Sequence, residues 1–337
     1  MPSAEGVPTP EIPSLSRGVF TLSLDFELIW GTLDLFGPGR FDRPCRVERD
    51  QVIDGLLGLL EEYEVAATWY VLGHVLLPSC RRVNGVAHPE IVRPRHSWVG
   101  GDWFGHDPCG DEDSHPTFYG RRLVEKILAC RVTQEIGSHS FSHVIFGDRG
   151  CSLETAASEI QASLEAASEL GLKPRSFAFP RNRAGHLDLV RDLGFSSYRG
   201  PGPRWYENRE RAGPVSRLAH LLDFVLATPP PLVLPARTPE GLVNLPGSMV
   251  FFPMHGARRA LPLSRRVRRA VKGLEAAARE RKVFHLWFHP TNLADHPETM
   301  LGGLRQIFGR VADLRRRGLL RVAPVGEVCA LSRPELP

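Results

Sequence analysis

Short apolar runs of β type alternate with segments of helical periodicity along almost the whole chain. That alternation restricts the fold more than any other feature. The β-type runs are Val19–Asp25, Ala67–Leu72, Val132–Ile136, Ser176–Phe179, Phe195–Tyr198, Ser248–Phe252 and Val283–Phe288. Helical patterns fall between them over Asp50–Tyr63, Tyr119–Ala129, Ser152–Leu170, Leu187–Leu193, Pro214–Val225 and Ser264–Ala278, and Glu298–Arg316 follows the last run. Val52, Leu56, Leu57, Leu60 and Tyr63 recur at the spacing of one helix face, as do Val267, Val271, Leu274 and Ala278. Ser152 stands where an N-cap belongs and Gly171 where a left-handed C′ residue belongs. Strand, helix, strand in repetition predicts parallel strands joined by helical crossovers. In such folds ligands sit at the carboxyl ends of the strands.

The side chains able to do chemistry gather at those ends. Asp25 and Glu27 follow the first run, His139 and His143 the third, Arg181 and Asn182 the fourth, and His289 the seventh. Scattered structural residues would have no reason to share one rim. The stretch Gln134–His143 (QEIGSHSFSH) is the centre of this pattern. Histidine is the commonest metal-binding side chain, and an i, i+4 pair faces one way if Ser138 opens a turn of helix. Two carboxylates and two imidazoles offer three protein ligands and an open position for water. A metal so held brings the pKa of its water towards ~7, and a nearby carboxylate and His289 can serve as base and acid. That set describes metal-assisted hydrolysis of an amide or ester.

The bulk numbers exclude several classes. Across 337 residues, 42% are apolar and 24% charged, as in ordinary globular proteins. A net charge of +4 is too even to imply nucleic acid. The six cysteines contain no C-x-x-C pair, which argues against a zinc ribbon or a disulfide scaffold and for reduced thiols. No run of about 18 apolar residues predicts a membrane span. The N-terminus has no basic start followed by an apolar core, so residues 1–17 read as a disordered tail and the protein as cytoplasmic. Residues 18–332 are expected to form a single domain, with a long insertion at about 74–117.

The segments LSLDFE, EIGSHSFSH, FAFPRN and HLWFHP, in that order and spacing, resemble the polysaccharide deacetylase family, the carbohydrate esterase family-four superfamily. The resemblance runs from about Gly18 to Ala294. It implies a distorted (β/α)7 barrel that removes N- or O-acetyl groups from sugars with a divalent metal, usually zinc. By that resemblance His139 and His143 are metal ligands, Asp25 is the base, His289 is the acid, and Leu286 lines the acetyl pocket. Arg181 falls near the motif whose arginine orients the base. The sequence departs from the family at its first motif, T-F-D-D-G, where the second aspartate column holds Phe26. A D-x-D variant occurs in the related deformylase of lipid-linked aminoarabinose, and Glu27 then supplies the missing carboxylate. The alternative, Asp25 on the metal and Glu27 as base, stays open. The third motif reads P-R-N, so substrate contacts by Arg181 and Asn182 are weighed equally against a structural role.

The implied substrate is an N-acetylated sugar, or a nucleotide- or lipid-linked precursor of a surface polysaccharide. Two rival readings are a hydrolase of a non-sugar amide such as a ureide or N-formyl group, and a carbohydrate-binding pseudoenzyme. Trp30, Trp98, Trp103 and Phe104 are candidates for stacking on a sugar ring, Trp30 foremost. His74, His88, His96, His106, His115, His186, His255 and His285 read as structural or surface residues. The basic stretch 258–282 offers contact with anionic membrane surfaces, although a soluble helix packed on the barrel is the stronger reading.

Overall fold

The computed structural model describes residues 15–203, 228–254, 256, 259 and 261–331. The expected helix Pro214–Val225 and His255 lie outside the described residues, as does most of the expected N-terminal tail. Strand β1 (Gly18–Phe26) is buried along its whole length, as parallel strands covered by helices are. Its side chains divide by the two-residue period of a strand. Leu22, Leu24 and Phe26 join the large core cluster under the helices. Ser23 and Asp25 point the other way, where both meet Arg199 across the barrel interior.

β1 pairs in parallel with β2 (Thr68–Val71) on one side. From there the sheet continues through β3 (Glu135–Ser138), β4 (Ser176–Ala178), β5 (Ser197–Arg199) and β6 (Val243–Asn244). On the other side of β1 lies β8 (Val283–Phe288), and beyond it β7 (Met249–Val250). β6 and β7 belong to one extended segment, 243–250, whose start pairs with β5 and whose end pairs with β8. That segment bridges the two edges of a curled parallel sheet, giving the expected distorted (β/α)7 barrel. Pro246 and Gly247 fall at the break between β6 and β7, and a proline cannot donate to a ladder.

Helices Ile53–Glu62, Leu263–Glu280 and Pro297–Arg316 present Leu56, Leu60, Leu274, Leu304 and Phe308 to the outer face of the sheet. Phe20 sits between Phe284 and Phe308, with ring centroids 6.1 and 6.4 Å away. Each such ring stabilises the fold by roughly 1.5–3 kcal/mol relative to exposure.

The structure adds detail in three places outside the site. The Gly- and Pro-rich stretch after β1 carries helices Trp30–Phe36 and Asp42–Val47, because Trp30, Leu33 and Cys45 find buried places. The insertion holds a small antiparallel ribbon, Ser79–Cys80 against Gly110–Asp111. The basic helix turns Arg266 and Arg269 inward, 1% and 3% exposed, where they donate to Phe252 O and Thr228 O. Those two cations are therefore not presented to a membrane surface. No helix among the described residues is long and apolar enough to cross a membrane.

Candidate active site

Asp25, Glu27, His139, His143 and His289 all converge at the carboxyl end of the barrel. Asp25 is the last inward-facing residue of β1. Both its oxygens are taken by the Arg199 guanidinium, Nη1 to Oδ1 at 2.6 Å and Nη2 to Oδ2 at 2.6 Å. Burial pushes the Asp25 carboxyl up, but Arg199 together with His139 and His289 outweighs it, and the net shift is downward. Asp25 is therefore ionised and oriented, with a lone pair left on each oxygen. Glu27 lies one residue beyond the strand and is 6% exposed. A Cβ at Gly31 would collide with Glu27 Oε2, so only glycine leaves room there for this carboxylate.

The histidine pair does not sit on a turn of helix, as the i, i+4 spacing suggests. After β3 the chain enters a tight loop in which Ser140 and His143 adopt left-handed φ values of 64° and 68°. Such values are uncommon for residues other than glycine and gather at functional sites. The loop persists because buried Glu159 binds it, accepting from the Phe141 and Ser142 amides at 3.0 and 2.8 Å and from the Ser142 hydroxyl. His139 Nδ1–H donates to Ala178 O at 2.7 Å, since a carbonyl can only accept. Its other nitrogen, Nε2, then turns a lone pair towards Glu27 Oε1 at 2.8 Å. Two acceptors at that distance require a proton or a cation between or beside them. His143 Nε2 reaches the same Oε1 at 3.5 Å. A tetrahedral zinc with bonds of ~2.0–2.1 Å sets such donor atoms about 3.3 Å apart. The set Glu27, His139 and His143 therefore fits a metal, whereas both Asp25 oxygens accept from Arg199.

His289 closes the opposite wall. Its Nε2 lies 3.3 Å from Glu27 Oε1 and 3.6 Å from Asp25 Oδ2, and its side chain is 33% exposed. Burial lowers its pKa, but Glu27 and then Asp25 raise it to about 9.

The remaining expected residues divide. Asn182 Oδ1 accepts from Arg199 Nη2 at 3.5 Å, at the edge of the cluster. Arg181 forms an ion pair with Asp34; the arginine on Asp25 is Arg199. Leu286 is buried in the outer core cluster, on the face of β8 opposite His285, Trp287 and His289. Strand alternation thus gives the inward wall to Trp287, whose ring lies 4.2 Å from the Arg199 guanidinium. Trp30 is 3% exposed, donates to Phe118 O and lies tilted against the His74 ring with centroids 4.2 Å apart, so it has no free face for a sugar. Arg199, Glu159 and Trp287 are the site residues that the sequence reading missed. Extending the fifth strand by one residue would have placed Arg199 on the rim.

No family model matches this sequence, and no curated protein matches it. Solved structures do match in fold. A candidate polysaccharide deacetylase from Mycobacterium smegmatis superposes with a TM-score of 0.63 at 17% identity, covering 97% of this chain and 99% of that one. A candidate polysaccharide deacetylase from Pseudomonas aeruginosa PAO1 gives 0.57 at 11% identity, over 96% and 94%. The PuuE allantoinase gives 0.57 at 10% identity, over 96% and 93%. The chain therefore has the polysaccharide deacetylase fold. Its particular chemistry rests on its own residues.

Proposed function

We propose that this protein is a metal-dependent hydrolase that removes an acyl group, N-acetyl foremost, from an amine or hydroxyl of a carbohydrate. The observation that carries the reading is the pairing of His139 Nε2 and His143 Nε2 with Glu27 Oε1 beside an Arg-held Asp25. A divalent metal held by Glu27, His139 and His143, zinc by donor chemistry, would polarise the acyl oxygen and acidify a water enough for a carboxylate as acidic as Asp25 to take its proton. Arg199 keeps Asp25 ionised and fixes both its oxygens. His289 Nε2, 3.3 Å from Glu27 Oε1 and 3.6 Å from Asp25 Oδ2, is placed to carry a proton to the leaving amine. Trp287 forms an apolar wall suited to the acyl methyl, and Asn182 and Arg181 flank the sugar side.

The test is acetate release from a panel of N- and O-acetylated sugars and oligosaccharides, with zinc, cobalt, manganese or nickel added to metal-stripped protein. Turnover that needs both metal and Asp25 supports the reading. The fold shared with an allantoinase favours a second reading, a ureide or other non-sugar amide. Turnover of ureides and none of acetylated sugars would select it. A protein that binds sugars but hydrolyses nothing with any metal would be a binding module.

A further inference from the structure

A second cluster lies outside this site. His74 comes from the turn after β2, Cys80 from the small ribbon, and His88 and Asp107 from the irregular insertion. Their donor atoms all lie within 4.8 Å of one another. Asp107 Oδ2 is faced by His74 Nε2 at 3.1 Å, His88 Nε2 at 3.0 Å and Cys80 Sγ at 3.6 Å. Two imidazoles and a thiol thus converge on one carboxylate oxygen with two lone pairs, the thiol also lying 3.1 Å from the Tyr119 hydroxyl. The same geometry suits four ligands around one ion. Tetrahedral zinc bonds of ~2.0–2.1 Å to N and O and ~2.3 Å to S put ligand atoms about 3.3–3.6 Å apart.

The surroundings are those of a closed site. His74 and Asp107 are 0% and 1% exposed, and His88 is 6% exposed. Trp30, Phe104, Tyr119 and Phe141 pack their rings against the two imidazoles. Partners further out orient the donors. Asp107 Oδ1 accepts the Cys109 amide at 2.9 Å, freeing Oδ2 to point inward. His88 Nδ1 faces the Glu90 carboxylate at 3.3 Å, the arrangement that orients metal-binding histidines. A thiolate and a carboxylate also balance the charge of a divalent ion inside an apolar shell.

We propose that His74, Cys80, His88 and Asp107 form a structural zinc site, separate from the proposed catalytic centre. The ion would tie an insertion with little regular structure to the barrel. That insertion in turn braces the His139–His143 loop, since Trp103 Nε1 donates to Ser142 Oγ at 2.8 Å.

Cobalt separates the two sites, because sulfur is present only in the second. Metal-stripped wild type, Glu27→Ala/His139→Ala and Cys80→Ser proteins are titrated with Co²⁺ and scanned for the thiolate-to-cobalt charge-transfer band, with zinc content measured in parallel. The expected result is one band per chain in wild type and in Glu27→Ala/His139→Ala, with one zinc retained in the latter, and no band in Cys80→Ser. No band in folded wild type overturns the proposal. So does a band that survives Cys80→Ser but is lost in Cys109→Ser. A Cys80–Cys109 disulfide in protein purified under reducing conditions also overturns it. Should Cys80→Ser fail to fold, His88→Cys provides a second variant, in which the band must persist with doubled intensity. The outcome is independent of turnover, so failure of the hydrolase reading leaves it standing.

Discussion

The protein holds two clusters of imidazole and carboxylate groups, built in opposite ways. The cluster at the barrel rim draws two of its three histidines, His139 and His143, from one five-residue loop. It keeps one side open, with His289 a third exposed and Asp25 beside the donors. The cluster in the insertion collects donors from residues 74 to 107 and is sealed by aromatic rings. Three ligands and an opening suit catalysis, whereas four ligands and a lid of rings suit a fixed structural ion. Openness and donor count therefore decide what a cluster does, and proximity of histidines to carboxylates alone does not.

Breaking the rim cluster is expected to give the largest effects. Asp25→Asn should lower kcat/KM by roughly 10²–10⁴-fold, measured by acetate release on the best substrate of the panel with the folded fraction checked by circular dichroism, since the change also leaves the buried Arg199 without its counter-charge. Arg199→Met should cost about 3–5 kcal/mol of unfolding free energy, since it leaves the Asp25 carboxylate buried without its partner. Denaturant titration reads this, and a loss below about 1 kcal/mol would contradict the described pairing.

Smaller effects sharpen the contrast. Glu159→Leu touches no ligand but removes the acceptor that holds the His139–His143 loop. It should weaken zinc at the rim by roughly 10–100-fold while leaving the cobalt–thiolate band unchanged. Competition with a chelator of known affinity measures the first quantity and absorbance the second. In metal-free protein, His289 should titrate near pH 9, because Glu27 and Asp25 stabilise its charged form against burial. That stabilisation is fully present below about pH 6.5 and is lost as pH rises through about 9. Metal at Glu27 should lower the titration midpoint, as followed by the ring proton resonances. Arg181→Ala leaves the Asp34 carboxylate, 5% exposed, without its partner and should cost about 1–3 kcal/mol of stability; a rise in KM with kcat unchanged would assign Arg181 to the substrate.

Much of the fold was legible because its strands are apolar runs between well-marked helices. The rim donors were legible because the alternation puts strand ends together and because His139 and His143 lie close in sequence. The histidine loop was not, since only tertiary binding by Glu159 makes a left-handed His143 tenable. Leu286 was carried to the pocket by the family resemblance alone, which does not say which face of the strand a residue occupies. Trp30 was read as a platform because exposure is invisible in sequence. His74 and His88 were read as structural or surface residues because their partners, Cys80 and Asp107, are reached only through an irregular insertion with no periodicity to follow.

The measurement closest to the central claim is metal content and affinity of wild type, Glu27→Ala, His139→Ala and Asp25→Asn, each with the Cys80→Ser background removing the second ion. Loss of the remaining metal in Glu27→Ala and His139→Ala, with full retention in Asp25→Asn, is the predicted result. Metal retained in Glu27→Ala and lost in Asp25→Asn would exchange the roles of the two carboxylates. No metal in any of these proteins after reconstitution would contradict the catalytic centre described above.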